Sequence, residues 1–135
     1  MNCAIIGHGK MGREIERILA ERGHKVVLVI DENNASELTK ENLEGVDVAF
    51  EFTTPDTAAH NVRTVLEAGR RVVCGTTGWL KELKAMEALA EERGGALFYA
   101  SNFSIGVNIM FRINRRLAEL MNPHSEYNVR IEETH

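Results

Sequence analysis

Three glycines near the start of the chain have a spacing that suits the binding of a diphosphate. Gly7, Gly9 and Gly12 follow a short apolar run and precede a segment of helical period. In such a turn the first glycine allows the tight bend, the second lets the backbone approach a pyrophosphate, and the third lets the helix pack on the strand. The helix N-terminus adds free N–H groups and a positive dipole end. The spacing predicts a dinucleotide-binding turn; a turn that binds nothing is the alternative.

An acidic residue stands where a dinucleotide site needs one. Asp31 ends the second β-branched run, and Glu32 and Asn33 follow it. A carboxylate there can bridge the hydroxyls of the adenosine ribose and would repel a 2′-phosphate, which favours NADH. Lys10 and Arg13 could still reach a 2′-phosphate, so NADPH stays open. The alternative for Asp31 is an ordinary solvated strand end.

Three further loops carry small and hydroxyl-bearing residues at the ends of predicted strands, in residues 53–55, 75–78 and 101–104. An open parallel sheet binds its ligand outside the carboxyl ends of the strands. These loops therefore suit a nicotinamide ring and its ribose. Turns use the same residue types for backbone reasons, and that is the competing interpretation.

The elements that must position these loops alternate between short β-branched runs and longer segments of helical period. We predict strands at residues 2–6, 25–30, 47–51, 71–74 and 96–99, and helices at residues 10–22, 55–68 and 80–92. This order predicts an α/β fold with a Rossmann-type doubly wound parallel sheet. The continuously apolar strands predict burial of all five strands on both faces. Residues 33–44 are polar and predict a loop with a short helical turn.

Residues at the ends of the helices support these bounds. Thr54 before Pro55 predicts an N-cap hydroxyl ahead of a proline in the first helical position. Gly69, Gly23 and Gly94 each follow a predicted helix, as expected for residues that take a positive φ at its end.

The character of the chain changes after Ser104. Residues 105–121 predict one amphipathic helix, and residues 127–132 alternate like a strand with one wet face. We therefore predict a dinucleotide-binding domain at residues 1–104 and, at residues 105–135, the beginning of a second α+β domain for substrate binding and oligomerisation. The second region is too short for its own core, so we expect the front portion of a longer protein.

The composition and net charge of the chain exclude some classes of binding partner. The chain has 135 residues, 44% of them apolar and 27% charged, as is typical of globular domains. A net charge of -4 argues against nucleic acid and anionic membranes as partners. Apolar runs are too short to span a bilayer and no signal peptide is evident, which predicts a cytoplasmic protein. Cys3 and Cys74 lie in apolar strands and predict buried thiols, and no Cys or His pair has the spacing of metal ligands.

Five segments together resemble one family. They read GHGKMG at residues 7–12, EFTTP at 51–55, GTTG at 75–78, ASNFSIGVN at 100–108 and IEETH at 131–135. In this order and spacing they resemble the dihydrodipicolinate reductases, also called 4-hydroxy-tetrahydrodipicolinate reductases, of bacterial lysine and diaminopimelate biosynthesis. The resemblance covers the whole chain and implies NAD(P)H-dependent reduction of dihydrodipicolinate, a cyclic imine dicarboxylate, to tetrahydrodipicolinate.

The resemblance also implies roles for individual residues. His135 matches the first histidine of the family's catalytic stretch, where it donates a proton, and an imidazole titrates close to neutral pH. The glycine turn would hold the pyrophosphate, Asp31 the adenosine ribose and the later loops the nicotinamide. The implied cofactor-binding residues are Gly7, His8, Gly9, Lys10, Met11, Gly12, Asp31, Thr53, Gly75, Thr76, Thr77, Ala100, Ser101, Asn102 and Phe103.

The family's second catalytic histidine, its lysine and its Ser-Gly-Thr loop for the substrate carboxylates have no counterpart in these residues. Because such groups position the substrate, we expect the chain by itself to reduce substrate poorly or not at all. The resemblance further implies a homotetramer for the full-length protein. Two alternatives remain: a dinucleotide-binding module without catalysis, and a related amino-acid dehydrogenase such as an aspartate dehydrogenase.

Overall fold

The computed structural model describes residues 1–132 and 134. Five parallel strands form one sheet in the order β2-β1-β3-β4-β5, with helices between them. The strands are β1 (Asn2–Ile6), β2 (Lys25–Ile30), β3 (Val48–Glu51), β4 (Arg71–Cys74) and β5 (Ala96–Tyr99). The helices are α1 (Lys10–Glu21), α2 (Pro55–Glu67), α3 (Leu83–Arg93) and α4 (Ile105–Met121), and short 3-10 turns occupy Ala35–Glu37 and Leu80–Glu82. This architecture confirms the predicted fold class.

Helices lie on both faces of the sheet because successive strand side chains point to opposite sides. Ala4 and Ile6 of β1 pack into a large core with α2 and α3. Cys3 and Ile5, which alternate with them, form a smaller core with Leu19 of α1. The chain adds β2 on one side of β1 and then returns to add β3 on the other. The carboxyl ends of β1 and β3 therefore flank a crevice, where open α/β sheets bind ligands.

The predicted burial of the strands on both faces is confirmed for the middle of the sheet and is wrong for its two edge strands. Val27 of β2 is 51% exposed and Phe98 of β5 is 61% exposed. Both strands pair on one side only, so helices and neighbours cover them less completely. Continuous apolar sequence predicted the strands correctly but did not indicate which of them stand at the edge.

Two local predictions are also wrong. Thr54 precedes α2, but its hydroxyl forms no cap; it lies 3.1 Å from the Thr57 hydroxyl, while the Thr54 carbonyl accepts from the Thr57 and Ala58 N–H groups. Residues 127–132 form no strand in the described part of the chain, since a strand requires a partner for its backbone groups and none pairs with this segment. The predicted turn within residues 33–44 is confirmed as Ala35–Glu37.

The chain divides into two compact units, Met1–Ser101 and a second that begins at Asn102. The first unit holds the whole sheet and α1 to α3. The second holds α4, which begins after Ser104 as predicted and buries none of its side chains. Among the described residues, no helix combines the length and apolarity that crossing a membrane requires.

Candidate functional site

The glycine turn between β1 and α1 is shaped by close backbone contacts. Gly7 has φ +96°, and a β-carbon on it would lie 2.1 Å from the Phe52 carbonyl oxygen. A β-carbon on Gly12 would lie 2.0 Å from the Gly7 carbonyl oxygen. At Gly9, by contrast, a β-carbon would meet nothing within 4 Å. Packing thus requires glycine at two positions, while the open space at Gly9 leaves its backbone accessible to a ligand.

The N-terminus of α1 is open as well. Gly9 is the residue that precedes the helix, and no side chain caps the first turn. The first N–H groups of a helix have no partner within it, so they are available to an anion. The turn therefore presents backbone donors and the positive end of the helix dipole on the ligand side of the sheet.

A crevice of about 660 Å³ opens beside this turn, between the ends of β1, β2 and β3. Its walls come from the glycine turn, from the end of β2 and from the segment between β3 and α2. The lining residues are Ile6, Gly7, His8, Gly9, Arg13, Ile30, Asp31, Glu32, Asn33, Ala35, Phe52, Thr53, Thr54, Thr57 and Asn61. This is the position predicted for the adenosine ribose and the pyrophosphate.

A second crevice, of about 370 Å³, adjoins the first at Gly9, Phe52 and Thr53. It is lined by Gly9, Lys10, Met11, Phe52, Thr53, Gly75 and Thr76. A β-carbon on Gly75 would lie 2.1 Å from Cε1 of the Phe52 ring, so glycine is needed there for the ring to pack. Because both crevices share Gly9, Phe52 and Thr53, an extended ligand could run from one into the other.

The larger crevice has charges of both signs along its walls. Asp31 and Glu32 lie at the end of β2, and Arg13 and His8 lie on the side of α1. The Arg13 Nε donates to the His8 carbonyl oxygen at 3.3 Å, and the His8 Nε2 lies 2.7 Å from a carboxylate oxygen of Glu16. The α1 side therefore suits phosphate, and the β2 side suits neutral hydroxyls.

Asp31 is held in place by its own neighbours. Its Oδ1 accepts from the Asn33 N–H at 2.7 Å, and its own N–H donates to Oδ1 of Asn34 at 2.7 Å. The Asn34 amide also donates to the Val29 carbonyl oxygen at 2.9 Å. The other carboxylate oxygen of Asp31, Oδ2, accepts no hydrogen bond from the described residues, so it is available to hydroxyl donors such as those of a ribose.

Hydroxyl and amide groups join the ends of β3 and β4. The Thr53 N–H donates to the Thr76 hydroxyl at 2.8 Å. The Thr53 hydroxyl donates to the carboxylate of Glu51 and accepts from the Thr57 hydroxyl at 2.9 Å and from the Asn61 amide at 3.2 Å. Glu51 itself is fully buried. The loops that line the two crevices are thus tied together beneath the surface.

Both cysteines are buried, as predicted. The Cys74 thiol donates to Oε2 of Glu51 at 3.0 Å. Burial and then the neighbouring Glu51 carboxylate raise the pKa of Cys74 far above its ordinary value. A thiol that stays protonated is a poor nucleophile, so this environment favours a structural role.

Nine of the fifteen predicted cofactor-binding residues line the two crevices. Gly7, His8 and Asp31 line the larger crevice, Lys10, Met11, Gly75 and Thr76 the smaller one, and Gly9 and Thr53 line both. Gly12 lies beneath the turn, where it permits the contact with Gly7.

The remaining predicted residues lie elsewhere. Thr77, Ala100 and Ser101 belong to the first unit but are not among the residues that line either crevice. Asn102 and Phe103 belong to the second unit, where the Asn102 Oδ1 accepts from the Ser104 N–H at 2.8 Å. His135, the predicted proton donor, lies outside the described residues. The binding roles of this whole set stay predictions.

Sequence reasoning did not include Phe52, Thr57, Asn61 or Glu51 in the site. One signal could have indicated two of them: Thr57 and Asn61 stand four positions apart on α2, which places them on one face of that helix. Asn61 is only 8% exposed, and a buried amide on a helix needs a polar partner. Glu51 and Phe52 required knowledge of the strand register.

The chain matches a family model described as "Dihydrodipicolinate reductase, N-terminus" over residues 1–103. A curated protein of Christiangramia forsetii named 4-hydroxy-tetrahydrodipicolinate reductase is 39% identical over 100% of this chain and 56% of its own length. One of the same name from Chromobacterium violaceum is 32% identical over 99% of this chain and 57% of its own length. The chain therefore spans a little over half the length of these relatives.

Solved structures show the same fold. A dipicolinate-bound dihydrodipicolinate reductase from Paenisporosarcina sp. TG-14 superposes with a TM-score of 0.71 at 26% identity, covering 87% of this chain and 53% of that one. A hyperthermophilic archaeal homoserine dehydrogenase in complex with NADPH has a TM-score of 0.60 at 20% identity, over 74% of this chain and 43% of that one, and shares the fold alone. Because the family model covers most of the sequence, the chain belongs to the dihydrodipicolinate reductase family, of which it represents the N-terminal portion.

Proposed function

We propose that this chain binds NADH and serves an NADH-dependent reduction of 4-hydroxy-tetrahydrodipicolinate to tetrahydrodipicolinate, a step of lysine and diaminopimelate biosynthesis. The observation that carries the proposal is the pair of joined crevices at the ends of β1 and β3, with the open glycine turn between them. The nicotinamide supplies a hydride when bound. The residues of this chain bind the dinucleotide and orient it.

Different parts of the proposed site bind different parts of the dinucleotide. The backbone at Gly9 and the first turn of α1 take the pyrophosphate. Asp31 accepts hydrogen bonds from the adenosine ribose, and its charge disfavours a 2′-phosphate, which is the reason to prefer NADH over NADPH. The smaller crevice, beyond Phe52 and Thr53, takes the nicotinamide end. His135 as proton donor, the homotetramer and the cytoplasmic location stay predictions from the sequence.

The first test is dinucleotide binding, measured by quenching of the single tryptophan, Trp79. Its Nε1 donates to the carbonyl oxygen of Thr76, which lines the smaller crevice, so its emission reports on a ligand there. We expect saturable quenching by NADH. We expect Gly9→Val to fold normally, because a β-carbon there meets nothing, yet to lose NADH binding, because the side chain blocks the pyrophosphate. Normal NADH binding by a folded Gly9→Val chain would contradict the assigned pyrophosphate site.

Asp31→Ala tests the cofactor preference. We expect NADH affinity to fall about tenfold, because a charge-assisted hydrogen bond is lost. NADPH should lose less, since the same change removes a repulsive charge from its phosphate. Equal losses for the two cofactors would contradict the role of Asp31 as the discriminating residue.

The reduction itself requires the part of the relatives that this chain does not cover. We propose joining this chain to the remaining part of the Christiangramia forsetii relative and following NADH absorbance with 4-hydroxy-tetrahydrodipicolinate. Turnover is the expected result. Binding of NADH without turnover in that chimera would favour a module that binds dinucleotide without catalysis.

A further inference from the structure

Glu51 is an unusual residue for the middle of a sheet. It ends β3, pairs with Ile6 of β1 and with Cys74 of β4, and is 0% exposed. Glutamate is almost never fully buried unless its carboxylate is partnered. An apolar side chain of similar size would fill the position without the desolvation that a buried carboxylate carries. Core packing alone therefore does not account for Glu51.

The partners of Glu51 are neutral donors from three separate segments. The Thr53 hydroxyl and the Asn61 amide, the latter at 3.4 Å, donate to Oε1, and the Cys74 thiol donates to Oε2 at 3.0 Å. Among residues 1–132 and 134, no Lys, Arg or His forms an ion pair with this carboxylate. Hydrogen bonds from β4, α2 and the loop after β3 thus satisfy the group without a counter-ion.

The hydrogen bond to Glu51 determines whether the Thr53 hydroxyl acts as a donor or as an acceptor toward its other neighbours. A hydroxyl has one proton to donate and two lone pairs with which to accept. Because Thr53 donates to Glu51, it can only accept from Thr57 and from Asn61, and the structure has both of these bonds. The Glu51 carboxylate therefore fixes the donor direction of the Thr53 hydroxyl, which is the centre of this network.

That network contributes residues to the walls of both crevices. Thr53 lines both, Thr57 and Asn61 line the larger one, and Thr76, which accepts from the Thr53 N–H, lines the smaller one. We propose that Glu51 is a positioning residue for the dinucleotide. Its buried carboxylate orients the Thr53 hydroxyl, and Thr53 in turn orients the Thr57 hydroxyl and the Asn61 amide, which line the larger crevice. These groups would contact the cofactor where it passes from one crevice to the other. This inference rests on the proposed function, because it assumes that a dinucleotide occupies both crevices.

The experiment compares Glu51→Met with Glu51→Gln in the same chain, with NADH titrated against Trp79 emission. Methionine keeps the size of the side chain but offers Thr53 no oxygen acceptor. Glutamine keeps a carbonyl oxygen for Thr53 and Asn61 and turns its amide toward the Cys74 sulfur. We expect Glu51→Met to weaken NADH binding about tenfold and Glu51→Gln to stay within about twofold of the unaltered chain.

Thr53→Val provides an independent route that leaves Glu51 with two of its donors. We expect it to weaken NADH binding about tenfold. The double variant Glu51→Met, Thr53→Val should bind no more weakly than Thr53→Val alone, because both changes remove the same Thr53–Glu51 hydrogen bond. Should Glu51→Met not fold, Thr53→Val against Thr53→Ser, which keeps the hydroxyl, decides the same point.

Val65→Ala is the control for lost stability, because Val65 is buried on α2 but contacts the apolar core instead of the crevice. We expect it to bind NADH as the unaltered chain does. Equal affinity of Glu51→Met and Glu51→Gln, or losses that multiply in the double variant, would overturn the role of Glu51. Absence of NADH binding by the unaltered chain would overturn the proposed function itself and this inference with it.

Discussion

The two units of the chain use similar helices in different ways. In the first unit, α2 has 13 residues and buries Ala58, Asn61, Val62, Val65 and Leu66 against the sheet. In the second unit, α4 has 17 residues and buries none. Its apolar side chains, such as Ile105 at 78% and Leu117 at 49%, are largely exposed.

This difference separates the formation of a helix from its burial. Both helices have the bounds that their periodicity and end residues predict, to within a residue. Periodicity shows which face of a helix is apolar, but not what covers that face. The stability of α2 therefore includes tertiary packing, whereas α4 depends on its own backbone bonds and its cap.

The largest effect is expected from a matched pair of leucines. Leu66→Ala on α2 removes a fully buried side chain and should lower the free energy of unfolding by about 2 to 5 kcal/mol. Leu117→Ala on α4 should change it by about 0.5 kcal/mol or less. Urea unfolding followed by far-ultraviolet circular dichroism, which reports on the helices of both units, measures both. Similar losses at the two positions would contradict the contrast between the two helices.

A second prediction concerns alkaline pH, because both cysteines lie in strands of the first unit. Burial and the Glu51 carboxylate raise the pKa of Cys74 above its ordinary value of 9.0, and burial also raises the pKa of Cys3. The folded chain therefore keeps the Cys74 proton at a pH where the unfolded chain has lost it. Its contribution to stability is complete below about pH 8 and declines as the pH rises above about 9.

For Cys74 alone we expect the free energy of unfolding to fall by about 1.4 kcal/mol for each pH unit above 9. Cys74→Ala should remove that part of the slope, although it lowers stability at neutral pH by leaving a small cavity. Urea unfolding between about pH 7 and 10 measures the slope. Cys3→Ala is the matched comparison in β1, and an unchanged slope in Cys74→Ala would contradict the buried, protonated thiol.

Much of the first unit could be predicted from the sequence. The five strands and their helices follow from β-branched runs, helical periods and glycines such as Gly69 and Gly94, which have φ +67° as required at helix ends. The glycine turn and Asp31 are recognisable because their chemistry depends on spacing along the chain. What is local in sequence was predictable.

Features that depend on contacts between distant segments could not be predicted from the sequence. Glu51 looks like the last residue of an apolar strand, and only the pairing of β3 with β4 brings it to Cys74. Phe52 is needed to explain why Gly75 has no side chain, and that contact again joins two strands. The strand predicted at residues 127–132 failed for the same reason, because alternation of polar and apolar residues does not supply a pairing partner.

A more local effect is expected at the start of α4. The Ser104 hydroxyl accepts from the Val107 N–H at 3.4 Å, and the Asn108 amide donates to the Ser104 carbonyl oxygen at 2.8 Å. Ser104→Ala should cost the helix about 1 kcal/mol. Because α4 buries no side chain, that loss should appear locally, as amide exchange about fivefold faster in its first turns, with β-strand amides unchanged. Ser36→Ala, at an exposed serine of the first unit, is the control. If amide exchange in α4 accelerated as little as it does in the strands, the Ser104 cap would not stabilise this helix separately, and the stability of α4 would have to come from packing after all.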